Sequence, residues 1–243
     1  NSGYITNVPL ENILNDFEIK LFNLTNEITP STLFSSAEVL NDIFLKLKEK
    51  LANPGLSGLS SGFYDLDCLI QGFQQSDLII IAGRPSMGKT ALSLNLGLNV
   101  IKNDNLPVLF FSLEMSKEQI MYRVLAMETN INQIRLKSGR LSDDDWLKLT
   151  KIIKMVAKFP FFVDDTSSLS IQDIRSRLKT ILFEQNKIGL VIIDYLQLMQ
   201  NPKGKMENRV QELSQITRQL KNLAREFNVP VIALSQLSRN VEN

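Results

Sequence analysis

The stretch from Leu78 to Asn95, LIIIAGRPSMGKTALSLN, constrains this chain more than any other. The apolar run from Leu78 to Ala82 reads as a buried strand that breaks at Gly83, and an apolar helical spacing resumes from Ala91 to Leu98. Between them stand Gly83, Arg84, Pro85, Ser86, Met87, Gly88, Lys89 and Thr90, with the G-x-x-x-x-G-K-[ST] spacing of a phosphate-cradling loop. Glycines let backbone N–H groups turn toward an anion, the lysine neutralises β- and γ-phosphates, and the last hydroxyl joins a Mg²⁺ shell. A bare match of this kind also arises by chance on a surface turn. The strand before and the helix after are what separate the two, and both are present.

Short apolar runs recur downstream: Pro107–Ser112, Phe159–Val163, Gly189–Ile193 and Val229–Ser235. Helical patterns separate them. Ser116 with Gln119 forms a capping box before Ile120 and Val124, and Ser142 is placed to cap a helix over 141–158. Ser170 opens the helix of Ile174, Leu178 and Ile181, and residues 207–227 put Val210, Leu213, Ile216, Leu220 and Leu223 on one face. Wholly apolar strands alternating with helices predict an α/β fold with a mostly parallel sheet covered on both faces.

Ahead of this domain, Leu10, Leu14, Phe17, Leu21, Leu24 and Ile28 form one apolar stripe on an amphipathic helix that Pro30 stops. It reads either as a helix on its own domain's core or as a connector docking on a neighbouring subunit; its place ahead of the globular domain favours the second. A second helix follows from the capping box Ser35/Glu38. The Gly/Ser/Pro-rich stretch after Asn53 sets the boundary: residues 1–55 are an α-helical linker region and 56–243 the catalytic domain. In residues 63–76 a short helix closed by Gly72 leads into the first strand.

With 27 basic and 26 acidic residues, any nucleic-acid surface has to be local. No apolar run is long enough to cross a bilayer, no signal-peptide pattern opens the chain, and the single Cys68 suits a reducing compartment. The chain has no histidine. Ser-His-Asp chemistry and His-ligated metals are therefore excluded, and a general base has to be a carboxylate or something rarer.

Triphosphate hydrolysis needs an acid near Mg²⁺ and a group that orients water. Asp194 ends the strand GLVIID, at the sheet edge where ligands sit in open α/β sheets; it reads as a metal-shell acid or as a helix N-cap. Glu114, two residues beyond PVLFFS, could reach an attacking water or could be a charge in the next helix's first turn, and the residues alone leave both open. Gln236, at the end of the last strand, could sense a terminal phosphate or be a surface amide.

Taken together, GLSSGFYDLD, GFQQSDLIIIAGRPSMGKTALSLN, FFSLEMS, LVIIDYLQLM and VPVIALSQLSR resemble the RecA-like ATPase domain of the DnaB-type replicative DNA helicases, over residues 56–239. The resemblance implies ATP and Mg²⁺ as cofactors, Lys89 and Thr90 on phosphate and metal, Asp194 as metal-shell acid, Glu114 as the residue activating water, and Gln236 as reporter of nucleotide state. It implies that the helix of residues 10–28 packs on the adjacent subunit of a hexameric ring, with single-stranded DNA, primase and a helicase loader as partners. Lys203, Lys205 and Arg209 fall where the family has a channel-facing loop, and become candidate DNA-backbone contacts; as residues they read equally as a solvated basic loop.

Family members carry an N-terminal helical domain and, beyond the last string, a basic segment supplying an arginine finger and a DNA-gripping loop; neither lies in these residues. An arginine finger is worth ~10³–10⁵ in rate, so the expectation is a C-terminally truncated motor domain that binds ATP·Mg²⁺ but hydrolyses and unwinds poorly. The compartment implied is a bacterial cytoplasm or a plastid stroma. The alternatives are another RecA-like recombination or repair ATPase, and a non-catalytic module whose assembly is gated by nucleotide.

Overall fold

The computed structural model describes residues 35–52, 55–199 and 209–237. The helix expected at 10–28, and Lys203 and Lys205, lie outside them. The chain divides into two compact units, Asn1–Gly55 and Leu56–Asn243. In the first, helix α1 (Ser36–Ala52) opens on the expected box: Glu38 N–H donates to Ser35 Oγ and Ser35 N–H to Glu38 Oε2, at 3.2 and 2.9 Å.

In the second unit, helix α2 (Tyr64–Ile70) precedes strand β1 (Leu78–Gly83) and helix α3 (Lys89–Asp104). Then come β2 (Val108–Ser112), α4 (Lys117–Thr129), α5 (Gln133–Ser138), α6 (Asp143–Val156) and β3 (Phe161–Asp164). The unit continues through α7 (Ile171–Gln185), β4 (Leu190–Asp194), α8 (Arg209–Phe227) and β5 (Val231–Gln236). The strands make one sheet in the order β1-β5-β4-β2-β3, every pair parallel. β2 and β4 are buried along their whole length, as strands covered on both faces must be.

Alternation along the strands sorts the core into two layers. Val108, Phe110, Leu190, Ile192, Ile232 and Leu234 face α3 and α4, while Leu109, Phe111, Val191, Ile193, Val231 and Ala233 face α7 and α8. α3 lies close on the sheet because residue 97 is glycine: a Cβ there would meet Ile192 Cδ1 at 3.2 Å and Val108 Cγ1 at 3.3 Å. Ser116, Ser142 and Ser170 all cap as expected, each receiving the N–H three residues on.

Some boundaries move. α2 ends on Gln71, left-handed at φ 59°, rather than on Gly72, because the Gln71 N–H closes the helix onto Asp67 O. β2, β3 and β5 begin one to two residues later than their apolar runs, after Pro107, Pro160 and Pro230. Each proline lacks the N–H a ladder position needs, yet still offers its carbonyl: Pro160 O accepts the Val108 N–H and Pro230 O the Val191 N–H.

Candidate nucleotide site

The parallel register brings four strand ends into a row. Gly83 of β1 pairs with Gln236 of β5, and Ser112 of β2 pairs with Asp194 of β4, while β5 lies beside β4. The phosphate-type loop, Gln236, Asp194 and the exit toward Glu114 therefore share the carboxyl edge of the sheet. They open onto one cavity of about 380 Å³, lined by Pro85, Ser86, Gly88, Lys89 and Thr90 of the loop and helix start together with Glu114, Arg123, Asp194, Tyr195 and Gln236.

The loop is built as a cradle. Ser86 and Gly88 take positive φ, 61° and 86°, and Gly88 stands at the N-cap of α3 with no side-chain cap. The helix's first N–H groups are left for another acceptor, and the macrodipole favours an anion there. Arg84 and Met87 close the turn, the Met87 N–H donating to Arg84 O at 3.4 Å. Lys89 folds over Gly83 and donates from Nζ to Gly83 O and Arg84 O, both at 2.9 Å.

Asp194 is 3% exposed. Burial pushes its carboxyl above the ordinary carboxylate range and the nearby Glu114 adds to that; the Thr90 hydroxyl, Lys89 and Arg123 pull the other way. Thr90 Oγ1 donates to Asp194 Oδ2 at 2.6 Å. A helix does not start at Asp194; a 3₁₀ turn, Leu196–Leu198, follows with Tyr195 at its N-cap, so the carboxylate caps nothing and points at Thr90. A buried acid with one hydroxyl donor fits a cation shared with phosphates. Among the described residues no group of three or more Cys, Asp or Glu is placed to hold a metal ion.

Glu114 lies ahead of α4, whose N-cap is Ser116, so it is no first-turn charge. Its turn is pinned on both sides: Leu113 N–H donates to Asp194 O at 2.7 Å, and Ser112 Oγ donates to Met115 O at 2.7 Å. Gln236 is gripped by a residue the sequence did not single out. Gln197 Nε2 donates to Gln236 O and Ser235 Oγ, both at 3.0 Å, and Gln197 Oε1 accepts the Gln236 N–H at 3.3 Å. Arg123 was also missed; a cation beside the buried Ile120 and Val124 was the available signal. The backbone of Arg209 begins α8, but its side chain lies outside the described residues.

Comparison with known proteins agrees with this architecture. Residues 58–243 match the model of the DnaB-like helicase C terminal domain. A probable replicative DNA helicase of Trieres chinensis is 66% identical over 243 residues, all of this chain and 53% of the relative. The chain thus spans about half the length of that relative. Among solved structures, an ATPase domain superposes with a TM-score of 0.79 at 36% identity, covering 86% of this chain and 73% of that one. A DnaB-like replicative helicase described with its primase interactions gives a TM-score of 0.75 at 32% identity, covering 96% of this chain and 57% of that one. The fold is RecA-like, nucleotide use follows from the family, and this chain belongs to the DnaB-like helicase C-terminal domain family.

Proposed function

We propose that this chain is the ATP-driven motor of a replicative DNA helicase, coupling ATP hydrolysis to movement on single-stranded DNA and strand separation. The observation that carries the reading is the row of strand ends that sets Gly83, Gln236 and Asp194 side by side, with Thr90 bonded to Asp194. The N–H groups of the loop and of the start of α3 bind the phosphates, and Lys89 exchanges the carbonyls of Gly83 and Arg84 for phosphate oxygens. Thr90 and Asp194 would hold Mg²⁺, which would supply positive charge to the phosphates. Glu114, exposed at the cavity wall, orients and activates the attacking water. Gln236 senses the terminal phosphate, and Gln197 carries its position to the segment after β4.

That segment includes Lys203, Lys205 and the start of α8 at Arg209. In this reading they contact the DNA backbone without regard to sequence, with salt-sensitive affinity. The helix of residues 10–28 joins copies into a hexameric ring. Primase is a partner on the strength of the relative solved with its primase interactions, and a helicase loader on the family resemblance alone. In this reading the protein works in a bacterial cytoplasm or a plastid stroma; among the described residues no helix is long and apolar enough to cross a membrane.

Glu114→Gln tests the reading. The variant should bind ATP and ADP within about threefold of wild type while turnover falls ~10²–10⁴-fold. Wild-type protein that binds ATP and oligomerises but shows no turnover with or without single-stranded DNA would identify a nucleotide-gated assembly module instead.

A further inference from the structure

Among the described residues, Arg123 is the one cationic side chain lining this cavity from outside the phosphate loop. It stands on α4, three residues after Ile120 and one before Val124, both fully buried. The stem is therefore trapped along the flank of the core instead of free to swing through solvent. Its Nε is buried and has no hydrogen-bond partner among the described residues. A buried donor left unpaired is costly, and a methionine at this position would carry none. Arg123 also acts electrostatically on Asp194.

The other cation is already placed. Lys89 reaches from the loop over Gly83, so it serves the phosphates held against the loop and the start of α3. Arg123 lines the same cavity from α4, and Glu114 lines it from the turn between β2 and α4. In the reading above Glu114 works at the terminal phosphate, and Arg123 belongs to the same β2-to-α4 segment, so a phosphate chain lying on the loop would reach Arg123 with its outermost group. A guanidinium suits the position, because its planar fork grips two phosphate oxygens at once, whereas an ammonium offers a point charge.

We propose that Arg123 contacts the terminal phosphate within its own subunit and makes the site discriminate a nucleoside triphosphate from a diphosphate. The proposal rests on the nucleotide-site reading above. It assigns Lys89 to both nucleotides and Arg123 to one of them.

The test is calorimetric titration of the 243-residue chain with Mg²⁺·AMP-PNP and Mg²⁺·ADP, for wild type, Arg123→Gln, Arg123→Lys and Lys89→Ala. Arg123→Gln should weaken AMP-PNP ~10–100-fold, which corresponds to ~1.4–2.8 kcal/mol, and change ADP less than about twofold. Arg123→Lys should recover part of the loss, and Lys89→Ala should weaken both nucleotides. Equal losses for AMP-PNP and ADP in Arg123→Gln, or no loss for either, overturn the proposal. If Arg123→Gln does not fold by circular dichroism, Arg123→Lys decides: it keeps stem and charge, so a loss confined to AMP-PNP supports the contact and none refutes it. Wild-type protein that binds neither nucleotide, or Lys89→Ala that binds both normally, would instead sink the nucleotide-site reading on which the proposal stands.

Discussion

Asp67 shows how much a single carboxylate organises near the start of the domain. It is 7% exposed; its Oδ2 accepts the Ser60 hydroxyl at 2.7 Å and its Oδ1 the Ser61 N–H at 2.8 Å. Burial by itself would raise its pKa, but the donors from Ser60, Ser61 and Gly62 outweigh burial and hold the carboxyl below its ordinary value. A depressed folded-state pKa gives stability that is complete above the unfolded value, ~4, and is lost as pH falls through the folded value. Asp67→Ala should therefore cost about 2–3 kcal/mol at neutral pH, with the gap to wild type closing as pH drops below ~4. Urea denaturation at pH 7 and pH 3 measures this, and a gap unchanged between them would refute the role. The residues legible beforehand were those at strand ends. Lys89, Thr90, Asp194, Gln236 and Glu114 stand where an apolar run stops, and a parallel sheet collects such positions along one edge. Arg123 and Gln197 were not legible, since an arginine on a helix flank is ordinarily solvated and a glutamine in an irregular turn is ordinarily a surface amide. Only the packing of α4 and the pairing of β4 with β5 bring them to the site.

At the scale of elements, the helix that carries the loop is seated by Gly97. A Cβ at residue 97 would stand 3.2 Å from Ile192 Cδ1 and 3.3 Å from Val108 Cγ1, contacts that side-chain tips can yield by a few tenths of an ångström. Alanine would also gain ~1 kcal/mol of helix propensity over glycine. Gly97→Ala should thus stay within about 1 kcal/mol of wild type, while Gly97→Val, adding two methyls against the sheet, should cost about 2–3 kcal/mol. Chemical denaturation of both variants checks the pair, and a valine variant as stable as the alanine one would show that α3 lifts off the sheet freely. The strands were readable as apolar runs, but their first residues were not, because Pro107, Pro160 and Pro230 are apolar in composition and unable to donate in the ladder. α5, Gln133–Ser138, escaped altogether; six residues are too few for helical periodicity to declare itself, and it is fixed by the Asn132 cap and by Leu136 packing with Ile131 and Leu149.

For the whole molecule, the sheet is unequal from centre to border. β4 lies between β5 and β2 and is wholly buried, whereas β1, from which the phosphate loop hangs, pairs only with β5 among the described residues, and its Ile80 is 44% exposed. Parallel pairing on one side leaves alternate N–H groups of such a strand with no ladder acceptor. Amide protons of Val191–Ile193 should exchange with deuterated solvent only through global opening, while outward amides of Leu78–Gly83 should exchange through small local excursions. A ligand that pins residues 83–90 removes those excursions at their source. Its occupancy should be recorded as slowed deuterium uptake in peptides spanning 78–90, with little change at 190–194, and mass spectrometry with and without Mg²⁺·ATP can read the contrast. A buried central strand would then say little about whether fuel is bound, and the border strand that carries the loop would be the gauge.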